Sequence, residues 1–176
     1  MHPPSTDYLV IGSGATGLAF ADTLIAENSE WTVTLVDLRG RPGGHWNDAY
    51  PFVALHQPSA FYGVNSLPLG TGALDTQGPN AGMFELASGA EVVGYFDTVL
   101  RQKLLASGRV QFLPMTEHLG GNQLRSVLTG ESFEITVRRR IVDARYYAPG
   151  IPALHRRKFE VAPDARVVHP RQLAQL

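Results

Sequence analysis

The hydrophobic positions in the first forty residues change period twice, which predicts a strand, a helix and a strand in that order. Residues 7–12 form an apolar run closed by glycine, as in a buried parallel strand. Small and apolar side chains recur with a roughly helical period over residues 15–28, and the β-branched segment 31–37 is typical of a second strand. Together with the glycine-rich turn after the first strand, these elements predict a βαβ unit with a right-handed crossover.

Glycine and proline interrupt this pattern over residues 39–90, where little periodicity is left. A plain doubly wound domain would continue directly into another helix and strand. This stretch is therefore a long excursion, and such segments in compact domains are usually functional or disordered. Its aromatic content argues against disorder. The aromatic residues that support this are Trp46, Tyr50, Phe52, Phe61 and Tyr62.

Apolar residues return at helical spacing after the excursion. They predict a helix over residues 90–106 with Gly108 as its C-terminal cap, and then a short strand over 110–113. Three alternating segments follow, separated by glycine-containing turns, and they predict an antiparallel meander. The meander segments are residues 116–119, 123–129 and 132–137, and residues 140–144 predict another buried strand.

The predicted fold class is α/β, a Rossmann-like parallel sheet with a three-stranded antiparallel meander. We divide the chain into a main domain over residues 1–150 and a tail over residues 151–176. The sequence from Tyr146 onward carries four prolines and is expected to be extended along the surface. No internal repeat is found.

Composition narrows the classes of partner and chemistry. The 176 residues are 44% hydrophobic and 18% charged, as in an ordinary globular domain. The net charge of −1 and the lack of a basic stripe give no reason to expect nucleic acid or an anionic membrane as partner. Cysteine is absent, which excludes disulfide scaffolds, thiolate nucleophiles and redox-active cysteine pairs. Neither a run of 18 apolar residues nor an apolar leader is present, so we expect a cytoplasmic protein.

The strongest chemical motif is a glycine hexapeptide of the form G-x-G-x-x-G, directly after the first strand. It consists of Gly12, Ser13, Gly14, Ala15, Thr16 and Gly17. In such motifs the first glycine permits a tight turn, the second lets the backbone approach a pyrophosphate, and the third lets helix and strand pack closely. The N–H groups of the helix start then meet the phosphates.

Asp37 completes this dinucleotide-binding pattern. It lies 20 residues beyond Gly17, at the end of the second strand, where a carboxylate accepts hydrogen bonds from a ribose diol. An acid at this position also disfavours the 2′-phosphate of NADP. The alternative interpretation is a glycine-rich turn without a ligand.

Three further features favour FAD over NAD at this site: the long excursion, the meander, and a second pair of glycines. The paired glycines belong to the segment Arg39, Gly40, Arg41, Pro42, Gly43, Gly44, His45 and Trp46. Such a pair lets a second backbone segment come close to the cofactor, with the tryptophan covering it. The alternative is an ordinary Pro-Gly turn with a packed tryptophan.

On these residues the chain resembles FAD-dependent oxidoreductases with two dinucleotide-binding domains, of the flavin-containing monooxygenase and glutathione-reductase-like type. The resembling stretches are DYLVIGSGATG, LVDLRGRPGGHW, HQPSAFYG and RIVDARYY, and they cover the FAD-binding part only. The resemblance implies that the hexapeptide holds the pyrophosphate, that the acid holds the adenosine ribose, and that the paired glycines lie near the ribityl or flavin end. It also implies that the main chain at Met115 meets adenine and that Ala144 closes the site. The implied cofactor-binding residues are Gly12, Ser13, Gly14, Ala15, Thr16, Gly17, Asp37, Leu38, Arg39, Gly43, Gly44, His45, Trp46, Met115 and Ala144.

The sequence departs from that family in three respects. Asp37 stands where the family usually has Glu, and Ala144-Arg145-Tyr146 stands where it usually has Ala-Thr-Gly. Arg145 either pairs with a phosphate or points outward. The chain also lacks the second glycine fingerprint, so NAD(P)H would have to be bound through a missing or partner-supplied domain that begins near the tail.

Candidate catalytic groups are few. His56 and Gln57 are placed to hydrogen-bond a flavin or a bound oxygen species, although a loop histidine satisfied by backbone explains them equally well. The basic runs 138–140 and 156–158 are interpreted as solvated faces, with partner docking as the alternative. The histidines lack metal-ligand spacing, so no metal is expected.

These observations support one main hypothesis and two alternatives. The main hypothesis is the FAD-binding domain of an NAD(P)H-dependent, monooxygenase-like flavoprotein oxidoreductase. The first alternative is a non-catalytic FAD-binding protein, or one that a second chain or a homo-oligomer completes. The second is an NAD-binding dehydrogenase domain. The absence of a catalytic Tyr-x-x-x-Lys pair from the sequence counts against this alternative.

Overall fold

The computed structural model describes residues 4–145, 158–174 and 176, and within them the chain forms two sheets. The strands are β1 (Ser5–Ile11), β2 (Val33–Val36), β3 (Val110–Leu113), β4 (Thr116–Gly120), β5 (Gln123–Ser126), β6 (Ser132–Glu134) and β7 (Thr136–Asp143). The α-helices are α1 (Ala15–Glu27), α2 (Gly89–Thr98) and α3 (Pro170–Leu173). Strands β3-β2-β1-β7 form a parallel sheet in that order, and β4-β5-β6 form an antiparallel one. The predicted α/β fold with a meander is therefore confirmed.

The parallel sheet is covered on both faces near its centre. Val10 and Leu35 point to the helix side, where they pack with residues of α1 and α2. Leu9 and Val36 point to the other side and pack with Leu124 of the meander. The continuous apolar runs of β1 and β2 follow from this double burial, because neither face of these strands meets water.

The predicted helix over residues 90–106 is divided in the structure. A capping box between Ser88 and Glu91 starts α2, with the serine side chain accepting from the Glu91 N–H and the glutamate accepting from the Ser88 N–H. After Thr98 the chain continues as a wider π-helical turn over Val99–Leu104 and a short 3₁₀ turn. Gly108 ends the segment in a left-handed conformation, which confirms its predicted role as a cap.

The excursion over residues 39–90 is anchored to both long helices. The hydroxyl of Tyr95 in α2 accepts from the Val64 N–H at 2.7 Å and donates to the Leu67 carbonyl at 2.6 Å. The buried carboxylate of Asp22 in α1 accepts from the Ser66 N–H at 3.0 Å. These contacts hold the segment against the helix face of the sheet.

The prediction of a buried strand over residues 140–144 is wrong in two respects. The strand begins at Thr136, so it includes residues assigned to the last meander segment, and it lies at the sheet edge beside β1 alone. Val137 packs against the meander-side core, but Ile141 is 38% exposed. The apolar residues of this segment did not reveal its edge position, because edge and central strands can have similar apolar sequences.

The predicted extended tail falls partly outside the described residues. Residues 146–157 lie there, including His155 and most of the second basic run. In the described part of the tail, α3 is a single helical turn.

Candidate functional site

The glycine turn between β1 and α1 has the geometry that its sequence predicts. Gly12 adopts a φ of +99°, and its N–H donates to the Val36 carbonyl at 2.8 Å, which ties the turn to β2. A Cβ on Gly17 would lie 1.9 Å from the Gly12 carbonyl oxygen. Any side chain at position 17 would push α1 away from the strand, so the third glycine is required for packing.

The start of α1 is suited to an anion. Gly14 is the N-cap, and α1 has neither a side-chain cap hydrogen bond nor an acidic residue in its first turn. The first N–H groups of a helix lack intrahelical partners, and the helix dipole is positive at this end. A phosphate fits both features, because it would supply acceptors for these N–H groups and negative charge at the positive end of the helix dipole.

The paired glycines lie directly against this turn. The Gly43 N–H donates to the Ser13 carbonyl at 2.9 Å. A Cβ on Gly44, which has a φ of +55°, would lie only 3.0 Å from the Gly14 Cα. The structure thus brings together two glycine segments that are 30 residues apart in the chain. The approach is tight for a side chain at position 44, whereas a Cβ on Gly14 would lie at an ordinary contact distance of 3.5 Å from the Gly44 Cα.

Asn47 braces the paired glycines, and sequence reasoning missed it. Its side-chain amide donates to the Pro42 carbonyl at 3.0 Å and to the Gly44 carbonyl at 3.1 Å. Its own side-chain oxygen is buried and has no hydrogen-bond partner. The sequence carries no signal for this role, because the contacts are made by a single side chain inside an irregular segment.

Asp37 has a structural role beside the predicted ligand role. One carboxylate oxygen accepts from the Ser13 N–H at 2.7 Å and from the Ser13 hydroxyl at 2.8 Å, and the other accepts from the Arg39 N–H at 2.9 Å. The residue is 6% exposed. A carboxylate offers about four acceptor positions, and three are in use, so one position on the second oxygen suits a ribose hydroxyl.

Met115 lies beside the end of β2 with a φ of +48°. Its N–H donates to the Arg39 carbonyl at 3.1 Å, and its carbonyl accepts from the Val127 N–H at 2.8 Å. The N–H is therefore committed to the protein. The carbonyl has two lone pairs, so it is the Met115 main-chain group that suits adenine.

Ala144 closes the other side of the glycine turn. Its N–H donates to the Ile11 carbonyl at 2.9 Å, and a Cβ on Gly12 would lie 3.3 Å from the Ala144 carbonyl oxygen. The next residue, Arg145, folds back onto Asp143. Its Nε donates to Oδ1 at 2.8 Å and its Nη2 donates to Oδ2 at 2.6 Å, and this guanidinium lowers the pKa of Asp143 to about 2.

Trp46 serves to hold the excursion in place. Its indole N–H donates to the Tyr62 hydroxyl at 2.7 Å, and the half-buried ring packs on the helix-side core. His45 stacks on this ring, and burial together with the charge of Arg39 lowers the pKa of His45. These contacts favour the packed-tryptophan interpretation of the segment. Arg39 itself forms an ion pair with Asp48.

The remaining predicted residues lie on the surface. Leu38 is 56% exposed beside the carboxylate of Asp37. His56 and Gln57 are exposed on the excursion, where the buried hydroxyl of Ser59 makes the connecting contacts by donating to the Glu85 carbonyl at 2.9 Å. Their candidate catalytic role stays a prediction.

Among the residues that the structure describes, no group of three or more His, Cys, Asp or Glu side chains could hold a metal ion. In the same part of the chain, no helix combines the length and apolarity needed to cross a membrane.

Comparison with known proteins identifies a matching family model and similar sequences. A family model described as an NAD(P)-binding Rossmann-like domain matches residues 10–70. Uncharacterized proteins of Mycobacterium tuberculosis and Mycobacterium bovis are 50% identical over 171 residues, which is 97% of this chain and 32% of theirs. The chain therefore spans about a third of the length of the curated relatives that it matches.

Solved structures of two monooxygenases and a disulfide reductase share the fold. A flavin-containing monooxygenase from Stenotrophomonas maltophilia is 22% identical with a TM-score of 0.54, over 84% of this chain and 42% of that one. A bacillithiol disulfide reductase from Bacillus cereus is 13% identical with a TM-score of 0.60, over 80% and 40%. A steroid monooxygenase bound to NADP is 20% identical with a TM-score of 0.51, over 80% and 26%. The predicted resemblance to this type of oxidoreductase is confirmed at the level of fold.

Proposed function

We propose that this Rossmann-like chain is the FAD-binding domain of an NAD(P)H-dependent, monooxygenase-like flavoprotein oxidoreductase. The observation that carries the proposal is the packing of Gly43 and Gly44 against the turn at Ser13 and Gly14. This contact sets a second backbone segment beside the uncapped start of α1. A mononucleotide or a bare pyrophosphate does not need such a segment, whereas a cofactor that extends from the pyrophosphate toward a flavin does.

Each residue then has a defined task. The N–H groups of Ala15, Thr16 and Gly17 bind the pyrophosphate, and the Asp37 carboxylate accepts from a ribose hydroxyl. The Met115 carbonyl accepts from the adenine amino group. The remaining candidates for contacts with the cofactor are Ser13, Leu38, Arg39, His45, Trp46 and Ala144.

When bound, FAD supplies two-electron chemistry, and this chain supplies its position and electrostatic surroundings. Trp46 and Tyr62 fix the segment that carries the paired glycines, and Asn47 braces it. The exposed His56 and Gln57 are candidates for hydrogen bonds at the flavin end.

A second domain completes this proposal. The curated relatives are about three times as long as the matched region, since the match covers 32% of their length. We propose residues 1–150 as the FAD-binding domain and residues 151–176 as the connection to an NAD(P)H-binding domain, in the same chain or on a partner. The alternative is a non-catalytic or partner-completed FAD protein.

An NAD-binding dehydrogenase domain is the second candidate function. The family model matched over residues 10–70 is NAD(P)-binding in general, and Asp37 suits a ribose diol of either dinucleotide. The excursion and the meander favour FAD over this candidate.

The test is a flavin titration of the 176-residue chain. We expect the purified protein, or the protein mixed with FAD, to show bound flavin absorbance near 450 nm and quenched flavin fluorescence. Calorimetric titration with NAD should show at least tenfold weaker binding. Tight NAD binding without flavin binding would support the dehydrogenase alternative, and binding of neither would overturn the proposal. NAD(P)H oxidation by the longer Mycobacterium tuberculosis relative, loaded with FAD, tests the two-domain part.

A further inference from the structure

The paired glycines adopt two consecutive conformations with positive φ. Gly43 has a φ of +109° and Gly44 a φ of +55°. Glycine enters this region without steric cost, but it also leaves it easily, because no side chain restricts its backbone. The close contact of Gly44 with Gly14 at the start of α1 therefore depends on groups outside the glycines that hold their conformation.

The side-chain amide of Asn47 holds the chain on both sides of the Gly43–Gly44 peptide. Its Nδ2 donates to the Pro42 carbonyl at 3.0 Å and to the Gly44 carbonyl at 3.1 Å. The Gly43 carbonyl between them accepts from the Trp46 N–H at 3.2 Å. The directions of three successive carbonyls are thereby fixed, two of them by one side chain.

The Gly44 N–H is a polar group of this segment that remains available. Among the residues that the structure describes, it has no hydrogen-bond acceptor. The peptide is trans, so this N–H points away from the Gly43 carbonyl and from the Trp46 N–H that binds it. Its nitrogen would lie 3.9 Å from a Cβ on Gly14, the position at which such turns approach a pyrophosphate.

The two bonds from Nδ2 determine the orientation of the Asn47 amide and leave its oxygen without a donor. Within the described part of the chain, Oδ1 is the one buried side-chain nitrogen or oxygen that lacks a hydrogen-bond partner. Turning the amide to satisfy Oδ1 would break both bonds to the main chain. Unsatisfied buried acceptors are rare because they destabilise the folded state. An amide kept in this orientation favours a binding role for the glycine conformation over a role in packing alone.

We propose that Asn47 is a positioning residue for the bound dinucleotide, because it holds the Gly44 N–H where this group donates to an oxygen of the pyrophosphate. The inference rests on the proposed function, since it needs a dinucleotide at the glycine turn. It adds a donor from the excursion to the N–H groups at the start of α1. The pyrophosphate is then bound by two segments that are 30 residues apart in the chain.

The first experiment compares the dissociation constants of FAD, ADP and adenosine for the 176-residue chain and its variants. Asn47→Leu and Asn47→Ala both lack the amide donors but differ in volume, so an effect that they share comes from the lost hydrogen bonds. Both should bind FAD and ADP roughly tenfold more weakly, which corresponds to one hydrogen bond to a charged group. Adenosine binding should change less than about twofold, because adenosine has no phosphate.

Asn80→Leu is the matched control. The Asn80 amide also makes two bonds within the excursion, to the Asp75 carboxylate at 2.7 Å and to the Phe84 carbonyl at 2.9 Å. These bonds connect residues of the 75–84 segment to one another and not to the paired glycines. The variant should therefore keep all three dissociation constants within about twofold of wild type. Near-UV circular dichroism checks that each variant is folded.

Nuclear magnetic resonance measures the donor itself. When ADP binds the wild-type chain, the Gly44 amide proton should shift downfield and exchange more slowly, as a new hydrogen bond to phosphate requires. The Gly108 amide, which donates to the Leu105 carbonyl at 3.0 Å, should not respond. In Asn47→Ala, the Gly44 response should be smaller at saturating ADP.

Several results would overturn the proposal. They are equal ADP affinity of the Asn47 variants and wild type, equal weakening of adenosine and ADP, and weakening of FAD without weakening of ADP. A Gly44 amide that does not respond to ADP would overturn it as well, and this measurement on the wild type decides if neither Asn47 variant folds. A wild-type chain that binds neither FAD nor ADP would instead refute the proposed function.

Discussion

The Ser13 N–H and the Asp37 carboxylate are joined by a 2.7 Å hydrogen bond inside the protein, and this bond connects the glycine turn to the end of β2. Both residues are buried, at 0% and 6% exposure. The acid that sequence patterns associate with a ribose thus also determines the shape of the turn that faces the phosphates.

Replacing this acid should destabilise the protein even without a ligand. Asp37→Ala leaves the Ser13 N–H, the Ser13 hydroxyl and the Arg39 N–H without their acceptor, and we expect a loss of about 2–3 kcal/mol in the free energy of unfolding. Ser13→Ala removes only the hydroxyl bond and should cost about 1 kcal/mol. Urea denaturation measures both. Equal stability of Asp37→Ala and wild type would contradict the structural role.

Glycine 17 should be intolerant of even one methyl group. Its Cβ would meet the Gly12 carbonyl at 1.9 Å, so Gly17→Ala must displace backbone, and we expect it to cost about 3 kcal/mol. Gly94→Ala is the matched control, because position 94 lies within α2 with nothing within 4 Å of its Cβ. That substitution should raise stability by roughly 0.5–1 kcal/mol, since alanine favours helix. In thermal unfolding, we expect the midpoint of Gly17→Ala to fall below that of wild type and the midpoint of Gly94→Ala to rise above it.

The hydroxyl of Tyr95 should carry much of the anchoring of the excursion. Tyr95→Phe leaves the buried Val64 N–H and the Leu67 carbonyl without their partner, at a cost of about 1–3 kcal/mol. Tyr8→Phe, in a ring that packs on Phe20 and Trp31, should change stability by less than about 0.5 kcal/mol. Limited proteolysis provides a second measurement, in which Tyr95→Phe should be cut faster within residues 39–90. Unchanged cleavage there would show that the hydroxyl is not the anchor.

Acid should weaken the fold through Asp7. Hydrogen bonds from Arg138, chiefly, and from Thr32 hold the pKa of Asp7 well below its usual range. The folded state therefore binds this proton less readily than the unfolded chain, so the stabilisation is present above about pH 4 and is lost as pH falls below that value. Asp143, with a pKa of about 2, acts in the same direction.

The stability difference between wild type and Arg138→Ala should accordingly shrink as pH falls from 5 to 2. Arg140→Ala is the control and should follow the wild-type profile, because the Arg140 guanidinium donates to a backbone carbonyl. Urea midpoints at several pH values give the comparison. A constant difference between wild type and Arg138→Ala would exclude this pair as the cause.

Local patterns were sufficient to predict the part of the fold around the first glycine turn. The turn at Gly12, the helix α1 and the strand β2 each depend on neighbours in sequence, so period and glycine spacing reveal them. The contact between Gly14 and Gly44 was only partly foreseen, since glycine pairs indicate close approach but not what they approach. The Asn47 brace and the Asp37 bond to Ser13 join positions whose proximity exists only in the folded chain.

Strand pairing at a distance was the harder problem. The exposure of Ile141 depends on β7 lying at the edge of the sheet. The residues of β7 do not show which strands will lie beside it in the fold. The π-helical turn after Thr98 was also not predicted, because the apolar spacing there agrees equally well with an ordinary α-helix.

The central position of β1 has a kinetic consequence. One side of this strand pairs with β2 close by in the chain, but the other side pairs with β7, where Arg138 reaches Asp7 across 131 positions. Closing so long a loop is entropically costly and slows folding. During synthesis one edge of β1 therefore stays unpaired until β7 has emerged, and substitutions in β7 should alter the rate of folding more than substitutions in β3.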